Sequence, residues 1–144
     1  KCIAVLMSYS ADADLPSPGA LAVNNHGSIA WIADNSKKGV SKGGSALTVH
    51  LTHEFSEKYF DVADADVEQQ VTRDLSPHVS SAPQALQIHR WRYARPEVDS
   101  SVSFLKLQTD TPLYLCGDAF GGARVEGAYL SGIEAASSLG KELT

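Results

Sequence analysis

Apolar residues recur along the chain mainly in short runs that predict β-strands. The continuous run Cys2–Ser8 predicts a strand covered on both faces, whereas Leu47, Val49 and Leu51 alternate with polar residues and predict a strand with one buried face. Further strands are predicted at 20–23, 28–34, 84–94, 101–108 and 113–116, with a turn at 24–27 and an exposed loop at 35–45.

A central helix is predicted where Val67, Val71 and Leu75 recur every four residues. Asp66 and Gln69 resemble a capping box at the start of this helix, and the proline two residues after Leu75 is expected to end it. The chain is therefore rich in strands, with one central helix and a final strand–helix unit. This order of elements predicts an α+β fold.

The last third of the chain predicts a short strand, a glycine-rich turn and a helix in succession. The strand ends at Gly117-Asp118, and the helix begins near Val125. This layout places a carboxylate at the tip of a strand and free backbone N–H groups at the start of a helix, where the helix dipole favours a negative or hydrogen-bond-accepting group. We expect both to face one bound molecule. The helix is expected to bury one stripe, formed by Val125, Tyr129, Gly132, Ala136, Leu139 and Leu143.

Composition and charge exclude some functions. The 144 residues carry a net charge of -5 and scattered basic residues, so nucleic-acid binding is not expected. No apolar run approaches the roughly 20 residues needed to span a bilayer.

Cys2 and Cys116 lie in apolar runs and are interpreted as free, buried thiols of a reducing compartment such as the cytoplasm. The chain begins with Lys1 directly before an apolar run, which is typical of the middle of a longer protein.

The glycine-rich segment resembles the C-terminal flavin-binding motif of the FAD-dependent amine oxidase superfamily, in particular its renalase-like members. Two further segments are similar to the same family: a strand with the core Trp91-Arg92-Tyr93 and, more weakly, residues 28–38. The residues that carry the main resemblance are Gly117-Asp118, Arg124-Val125-Glu126-Gly127-Ala128, Ser131-Gly132 and Ala135-Ala136.

The resemblance implies FAD as the cofactor and gives roles to individual residues. Gly117 would let the backbone approach the cofactor, and Asp118 would accept a hydrogen bond from its ribityl or pyrophosphate region. The backbone at Val125 and Glu126 would face the pyrimidine edge of the isoalloxazine ring, where the helix dipole stabilises negative charge on reduced flavin. The residues implied to bind the cofactor are Gly117, Asp118, Arg124, Val125, Glu126 and Ala128.

The predicted strand at 84–94 supplies a candidate substrate pocket. Alternation places Gln87, His89, Trp91 and Tyr93 on one face, and such a face of aromatic and polar groups could form a pocket wall for a small-molecule substrate. The alternative is an ordinary strand whose aromatic residues belong to the core and whose arginines are solvated. The interpretation favours a pocket role for Trp91 and Tyr93, and the two alternatives are equally supported for His89.

The sequence departs from the family in one respect. Its members bind the ADP half of FAD through Gly-x-Gly-x-x-Gly, and none of the 11 glycines forms that pattern. The chain is therefore expected to be the C-terminal portion of such an enzyme. Residues 1–108 would form a mostly antiparallel substrate-domain sheet, and residues 109–144 the last strand and helix of a Rossmann-like FAD-binding domain. This chain alone is not expected to hold FAD tightly, because half of the cofactor's contacts would lie elsewhere.

Two functional hypotheses remain open. In the first, the parent enzyme oxidises an amine or a reduced nicotinamide-like donor by hydride transfer to FAD, and no residue is assigned as a catalytic acid or base. In the second, the chain is a stand-alone, non-catalytic domain that binds a ligand or a protein. It could act as a homodimer or together with a missing N-terminal half. No metal site is predicted, because His50 and His53 are three residues apart and aim in different directions.

Overall fold

The computed structural model of the protein describes residues 1–23, 27–40, 43–96 and 101–143. Most of the predicted turn at 24–27 and two positions of the predicted loop at 35–45 lie outside the described residues. The chain divides into two compact units, Lys1–Ala94 (unit 1) and Arg95–Thr144 (unit 2). The assignment of 1–108 to a substrate domain and of 109–144 to an FAD-binding domain remains a prediction.

Unit 1 contains one sheet and two helices. The strands are ordered β2-β3-β4-β1-β5, and all neighbouring strands are antiparallel. The elements of this unit are β1 (Cys2–Ser8), β2 (Ala20–Ala22), β3 (Ile29–Asp34), β4 (Ala46–Leu51), α1 (His53–Tyr59), α2 (Asp64–Leu75) and β5 (Ala85–Trp91).

The core of unit 1 lies between one face of this sheet and the helices. The predicted pattern of β4 is confirmed, because Leu47, Val49 and Leu51 are all buried. The prediction that β1 is covered on both faces is wrong. Ile3, Val5 and Met7 of that strand join the core, but Leu6 on the opposite face is 39% exposed. The sheet therefore presents one open face.

Helix α2 confirms the predicted central helix, with Val67, Val71 and Leu75 buried along one stripe. The predicted capping box is wrong, because the N-cap is Ala63 and no side chain caps the helix. Asp66 lies inside the first turn, where its negative charge interacts favourably with the positive end of the helix dipole but does not cap the helix.

Helix α1 is a second central helix that the sequence pattern did not predict. It spans only seven residues and buries only Ser56, so it carries no clear apolar stripe. Other interactions define it. Thr52 caps its start by accepting a hydrogen bond from the Phe55 N–H, and Ser56 Oγ accepts one from the Ile3 N–H at 3.0 Å. The Phe55 and Tyr59 rings stack with centroids 4.1 Å apart.

A buried carboxylate joins the loops at one end of the sheet. Asp34 is fully buried and accepts hydrogen bonds from the Ser36 N–H and the Ser45 hydroxyl, each at 2.8 Å. Ser45 Oγ in turn accepts a bond from the Ala13 N–H at 2.9 Å. Burial alone would raise the pKa of Asp34, but the bonds from Ser45 and Ser36 outweigh it and hold this pKa below its ordinary value.

A second carboxylate links helix α2 to the start of β3. Asp74 accepts hydrogen bonds from the N–H and hydroxyl of Ser28 at 3.0 and 2.5 Å, and from the Gln70 amide at 3.0 Å. Burial opposes ionisation, but the bonds from Ser28 and Gln70, together with the nearby Arg73 charge, hold the pKa of Asp74 below its ordinary value.

These lowered pKa values predict a loss of stability in acid. A carboxylate with a depressed pKa in the folded state stabilises the fold above its unfolded pKa of about 3.9, and this contribution disappears as pH falls through the lower folded value. We expect the free energy of unfolding, measured by urea titration, to fall steadily below about pH 4. In Asp74→Asn the free energy of unfolding should fall less steeply with decreasing pH than in the wild type. The same slope in both proteins would contradict the role of Asp74.

Unit 2 contains a two-stranded antiparallel hairpin and two helices. Its last strand was predicted to be buried, but Leu113 and Leu115 are each nearly half exposed, because that strand pairs on one side only. Cys116, which follows it, is a free and exposed thiol rather than a buried one. The elements of this unit are β6 (Leu105–Leu107), β7 (Leu113–Leu115), α3 (Asp118–Gly121) and α4 (Val125–Glu142).

Helix α4 begins at the predicted residue, but the predicted buried stripe is wrong. The buried residues are Gly127, Ser131 and Ala135, whereas Val125 is 90% exposed and Tyr129 is also exposed. The four-residue spacing is retained on a different face, because small residues allow the helix to lie close to α3. The remaining predicted stripe residues are half-buried at Gly132 and Leu139 and exposed at Ala136 and Leu143.

The prediction of an α+β fold with a mostly antiparallel sheet is confirmed, and the described residues form four helices instead of one central and one final helix. Among the residues that the structure describes, no helix is long and apolar enough to cross a membrane.

Candidate functional site

The start of α4 is the first element of the candidate site in unit 2. Arg124 is the N-cap residue, with extended backbone angles of φ -145° and ψ 159°, and no side chain caps the helix. Its carbonyl accepts the first helical bond, from the Ala128 N–H at 3.0 Å. The N–H groups of the first turn have no acceptor within the helix, and they carry the positive end of its dipole. This end can therefore bind a hydrogen-bond-accepting group.

The turn between β7 and α4 is the second element. Gly117 has φ of 139°, a conformation that favours glycine, and no described residue other than its two chain neighbours has an atom within 4 Å of a Cβ built at this position. Its N–H donates to Ser131 Oγ at 2.9 Å. Asp118 is exposed but does not simply lie at the tip of a strand, because it begins the short helix α3. The predicted glycine-rich turn therefore contains one turn of helix.

A close contact between two backbones holds α3 against the first turn of α4. A Cβ added to Gly127 would lie 2.2 Å from the carbonyl oxygens of both Gly121 and Gly122. In addition, the Arg124 N–H donates to the Gly122 carbonyl at 2.7 Å. Only glycine at position 127 permits this approach, so the segment after β7 and the start of α4 form one local structure.

Unit 2 contains all six residues predicted to bind the cofactor. Gly117 and Ala128 are half-buried, and the other four are exposed at the surface of the described residues. Their role in binding remains a prediction. The four exposed residues are Asp118, Arg124, Val125 and Glu126.

The predicted substrate wall lies on strand β5 in unit 1. Gln87, His89 and Trp91 share the exposed face of this strand, and the His89 and Trp91 rings meet edge to face with centroids 4.3 Å apart. Trp91 is 52% exposed, so it is not part of the core of unit 1. The placement of Tyr93 on this strand is wrong, because β5 ends at Trp91. Tyr93 lies in the following turn, 93% exposed.

Two further aromatic residues of the sheet, Trp31 and His50, were not predicted to belong to this wall. Trp31 pairs with His50, His50 with Ala4, and Ala4 with His89, so these residues form one row across four adjacent strands. Directly paired residues lie on the same face of a sheet, and this is the open face. The alternation of β4 indicated that His50 points away from the core, but the pairing of β1 with both β4 and β5 could not be read from the sequence.

A shallow groove beside α1 is a separate feature of unit 1. It has a volume of about 360 Å³ and contains none of the predicted site residues. The stacked rings of Phe55 and Tyr59 form one part of its wall, and the hydrogen-bonded pair Ser28 and Asp74 forms another. The residues that line it are Gly27, Ser28, Thr52, Glu54, Phe55, Lys58, Tyr59, Gln70 and Asp74.

The two elements in unit 2 and strands β3, β4 and β5 of the open sheet face lie within one family match, and β1 precedes it. The model of the flavin-containing amine oxidoreductase family matches residues 25–139 of the 144. The chain belongs to this family. The predicted membership of the amine oxidase superfamily is thereby confirmed, and membership implies a flavin cofactor and an oxidoreductase of the flavin-dependent amine oxidase type.

The residues at the start of α4 fit a flavin. Its uncapped N–H groups suit the pyrimidine edge of the ring system, which accepts hydrogen bonds and gains negative charge when the flavin is reduced. The exposed side chains of Arg124, Val125 and Glu126 leave this edge of the helix accessible. Asp118 supplies a carboxylate that can accept a hydrogen bond from a hydroxyl. Among the described residues, no group of three or more His, Cys, Asp or Glu side chains could hold a metal ion.

Proposed function

We propose that the chain is the C-terminal portion of an FAD-dependent, renalase-like oxidoreductase. The observation that carries this proposal is the uncapped, exposed start of α4 in a chain that belongs to the flavin-containing amine oxidoreductase family. No Gly-x-Gly-x-x-Gly is present in the 144 residues. We therefore propose that contacts to the ADP half of the cofactor come from outside this segment, in a dinucleotide-binding part of the same enzyme.

In this proposal the residues of unit 2 hold and tune the flavin. The backbone N–H groups at Val125 and Glu126 bind the pyrimidine edge of the ring, and Asp118 accepts a hydrogen bond from the ribityl or pyrophosphate region. Gly117 lets the backbone approach the cofactor closely, and Arg124 and Ala128 complete the surface that contacts the cofactor. When bound there, the flavin would supply a two-electron acceptor for hydride from the donor, and the electrons would then pass to oxygen or another acceptor.

The open sheet face of unit 1 is the proposed donor-binding surface. Trp91 and Trp31 offer flat apolar area, and His89 and His50 offer hydrogen-bonding groups along the same row. Such a face suits a small planar molecule with polar substituents, which is the form of a reduced nicotinamide-like donor or an aromatic amine. Tyr93 remains a proposed contact from the turn after β5. The free thiols also lead us to propose a reducing, cytoplasmic location.

A stand-alone, non-catalytic binding domain is the second candidate. It is favoured by the exposed aromatic residues on the open sheet face. In that case the sheet would bind a ligand or a protein, as a homodimer or with a separate N-terminal half. The two candidates differ in one property, because only the first requires a flavin.

Replacement of Asp118 tests the proposed flavin contact. Loss of a hydrogen bond to a charged group costs about 1.5–3 kcal/mol, so Asp118→Ala should raise the dissociation constant for FAD about tenfold or more in the full-length protein. Asp110→Ala, which removes an exposed carboxylate from the same unit, is the matched control and should bind FAD like the wild type. Titration of the apoprotein with FAD by flavin fluorescence measures both values. Equal affinities in the two variants would contradict the proposed role.

A further inference from the structure

Ser131 is a buried polar residue on helix α4, with only 1% of its surface exposed. Its hydroxyl makes two hydrogen bonds to distant parts of the chain. The oxygen accepts from the Gly117 N–H at 2.9 Å, and the hydroxyl donates to the Ser103 carbonyl at 2.5 Å. One side chain therefore joins three segments: the chain before β6, the turn after β7 and the second turn of α4.

Packing alone does not require a hydroxyl at this position. The neighbours of Ser131 on the buried stripe are Gly127 and Ala135, one turn away on either side, and both are small and apolar. Alanine would fill nearly the same volume without placing a polar atom in a buried site. Because a buried hydroxyl is tolerated only when it is hydrogen-bonded, the two bonds account for serine here.

The bond to Gly117 controls the position of Asp118. The Gly117 carbonyl accepts hydrogen bonds from the N–H groups of Phe120 and Gly121 at 3.0 and 3.3 Å, so Gly117 also anchors the first turn of α3. Apart from its two chain neighbours, no atom of the part of the chain that the structure describes lies within 4 Å of the point where a Cβ at Gly117 would project. The Ser131 hydroxyl thus fixes the one residue from which both α3 and the Asp118 carboxylate extend.

We propose that Ser131 is a positioning residue of the flavin site. It sets the Gly117-Asp118 turn relative to the uncapped start of α4, so that both act on the same cofactor. The inference rests on the proposed function, in which Asp118 and the start of α4 contact the flavin. Ser131 itself does not touch the cofactor in this proposal. Its effect is transmitted through the Gly117 N–H and the backbone of α3.

The test compares flavin binding in variants of the full-length protein. Ser131→Ala leaves the Gly117 N–H and the Ser103 carbonyl without their partner, and we expect the dissociation constant for FAD to rise about tenfold. The visible absorption band of the bound flavin should also shift. Ser137→Ala removes an exposed serine from the same helix and should leave both properties unchanged. Ser131→Thr, which keeps the hydroxyl, should restore affinity to within about threefold of the wild type.

The controls separate this inference from a general loss of stability and from failure of the proposed function. If Ser131→Ala lowers only the melting temperature of the apoprotein, while FAD affinity and the flavin spectrum match the wild type, the inference is overturned. If Ser131→Ala does not fold, Ser131→Cys replaces it, and wild-type flavin affinity in that variant overturns the inference equally. A wild-type protein that binds no flavin would refute the proposed function itself, before any variant is compared.

Discussion

Replacement of Gly127 with alanine is expected to lower the free energy of unfolding of unit 2 by about 2–3 kcal/mol. The new methyl group would lie 2.2 Å from the carbonyl oxygens of Gly121 and Gly122. Those oxygens belong to the backbone and cannot rotate away, so α3 must separate from the first turn of α4. The gain in helix propensity from glycine to alanine, about 1 kcal/mol, is too small to offset this clash.

Gly132→Ala is the matched control on the same helix. Apart from its chain neighbours and the backbone of α4 itself, no described atom lies within 4 Å of a Cβ at position 132, so the same chemical change should stabilise α4 by about 0.5–1 kcal/mol. Thermal denaturation followed by circular dichroism at the helical band measures both variants. The flavin content after gel filtration should fall in Gly127→Ala, because α3 carries Asp118. Equal melting temperatures for the two variants would refute the close contact.

Replacement of Asp34 with alanine is expected to destabilise unit 1 by about 3 kcal/mol. The carboxylate is fully buried, and its removal leaves the Ser36 N–H and the Ser45 hydroxyl without an acceptor. Because Ser45 also accepts from the Ala13 N–H, the loss extends to the loop after β1. Urea unfolding monitored by tryptophan fluorescence gives the change in free energy.

Two further variants show whether hydrogen bonding is the cause of this loss. Asp61→Ala removes an exposed carboxylate from the same unit and should change stability by less than about 0.5 kcal/mol. Asp34→Asn keeps the size of the side chain but replaces one acceptor oxygen with a donor. We expect it to be destabilised as well, because one of the two donors then faces an NH2 group. Wild-type stability in Asp34→Asn would show that volume, and not charge or hydrogen bonding, is what matters at this position.

The periodicity of hydrophobic residues correctly predicted the elements that bury one face and expose the other, namely β4 and α2. The alternation of Leu47, Val49 and Leu51 and the four-residue spacing of Val67 and Val71 each matched the buried positions of the structure. In both elements one face packs on the core of unit 1 and the other faces solvent. Hydrophobic pattern alone therefore specifies the orientation of the element.

The pattern failed where other interactions decide the structure. Helix α1 is defined by the Thr52 cap and the bond to Ser56 rather than by an apolar stripe. In α4 the buried face consists of small residues that approach a neighbouring backbone. The larger Val125 and Tyr129 were predicted to be buried because of their apolar character, but they are exposed. Such contacts depend on tertiary packing, which a hydrophobicity pattern does not contain.

The sequence motif indicated the part of the candidate site in unit 2, but the sequence did not predict the full row of residues on the open sheet face of unit 1. The segment from Gly117 to Ala128 was recognised from its resemblance to flavin-dependent amine oxidases, and the family match confirms that membership. The row of Trp31, His50 and His89 could not be predicted, because it depends on which strands pair and in what register. Ser131 was part of the motif, but only its hydrogen bonds indicate a role for it.

The absorption spectrum of the purified full-length protein tests the central claim most directly. We expect a yellow protein with flavin absorption bands. The chromophore released by heating should be identified as FAD by chromatography and mass spectrometry. Anaerobic addition of an amine or of a reduced nicotinamide-like donor should bleach the long-wavelength band, and oxygen should restore it. A folded, colourless protein that takes up no added FAD would contradict the account.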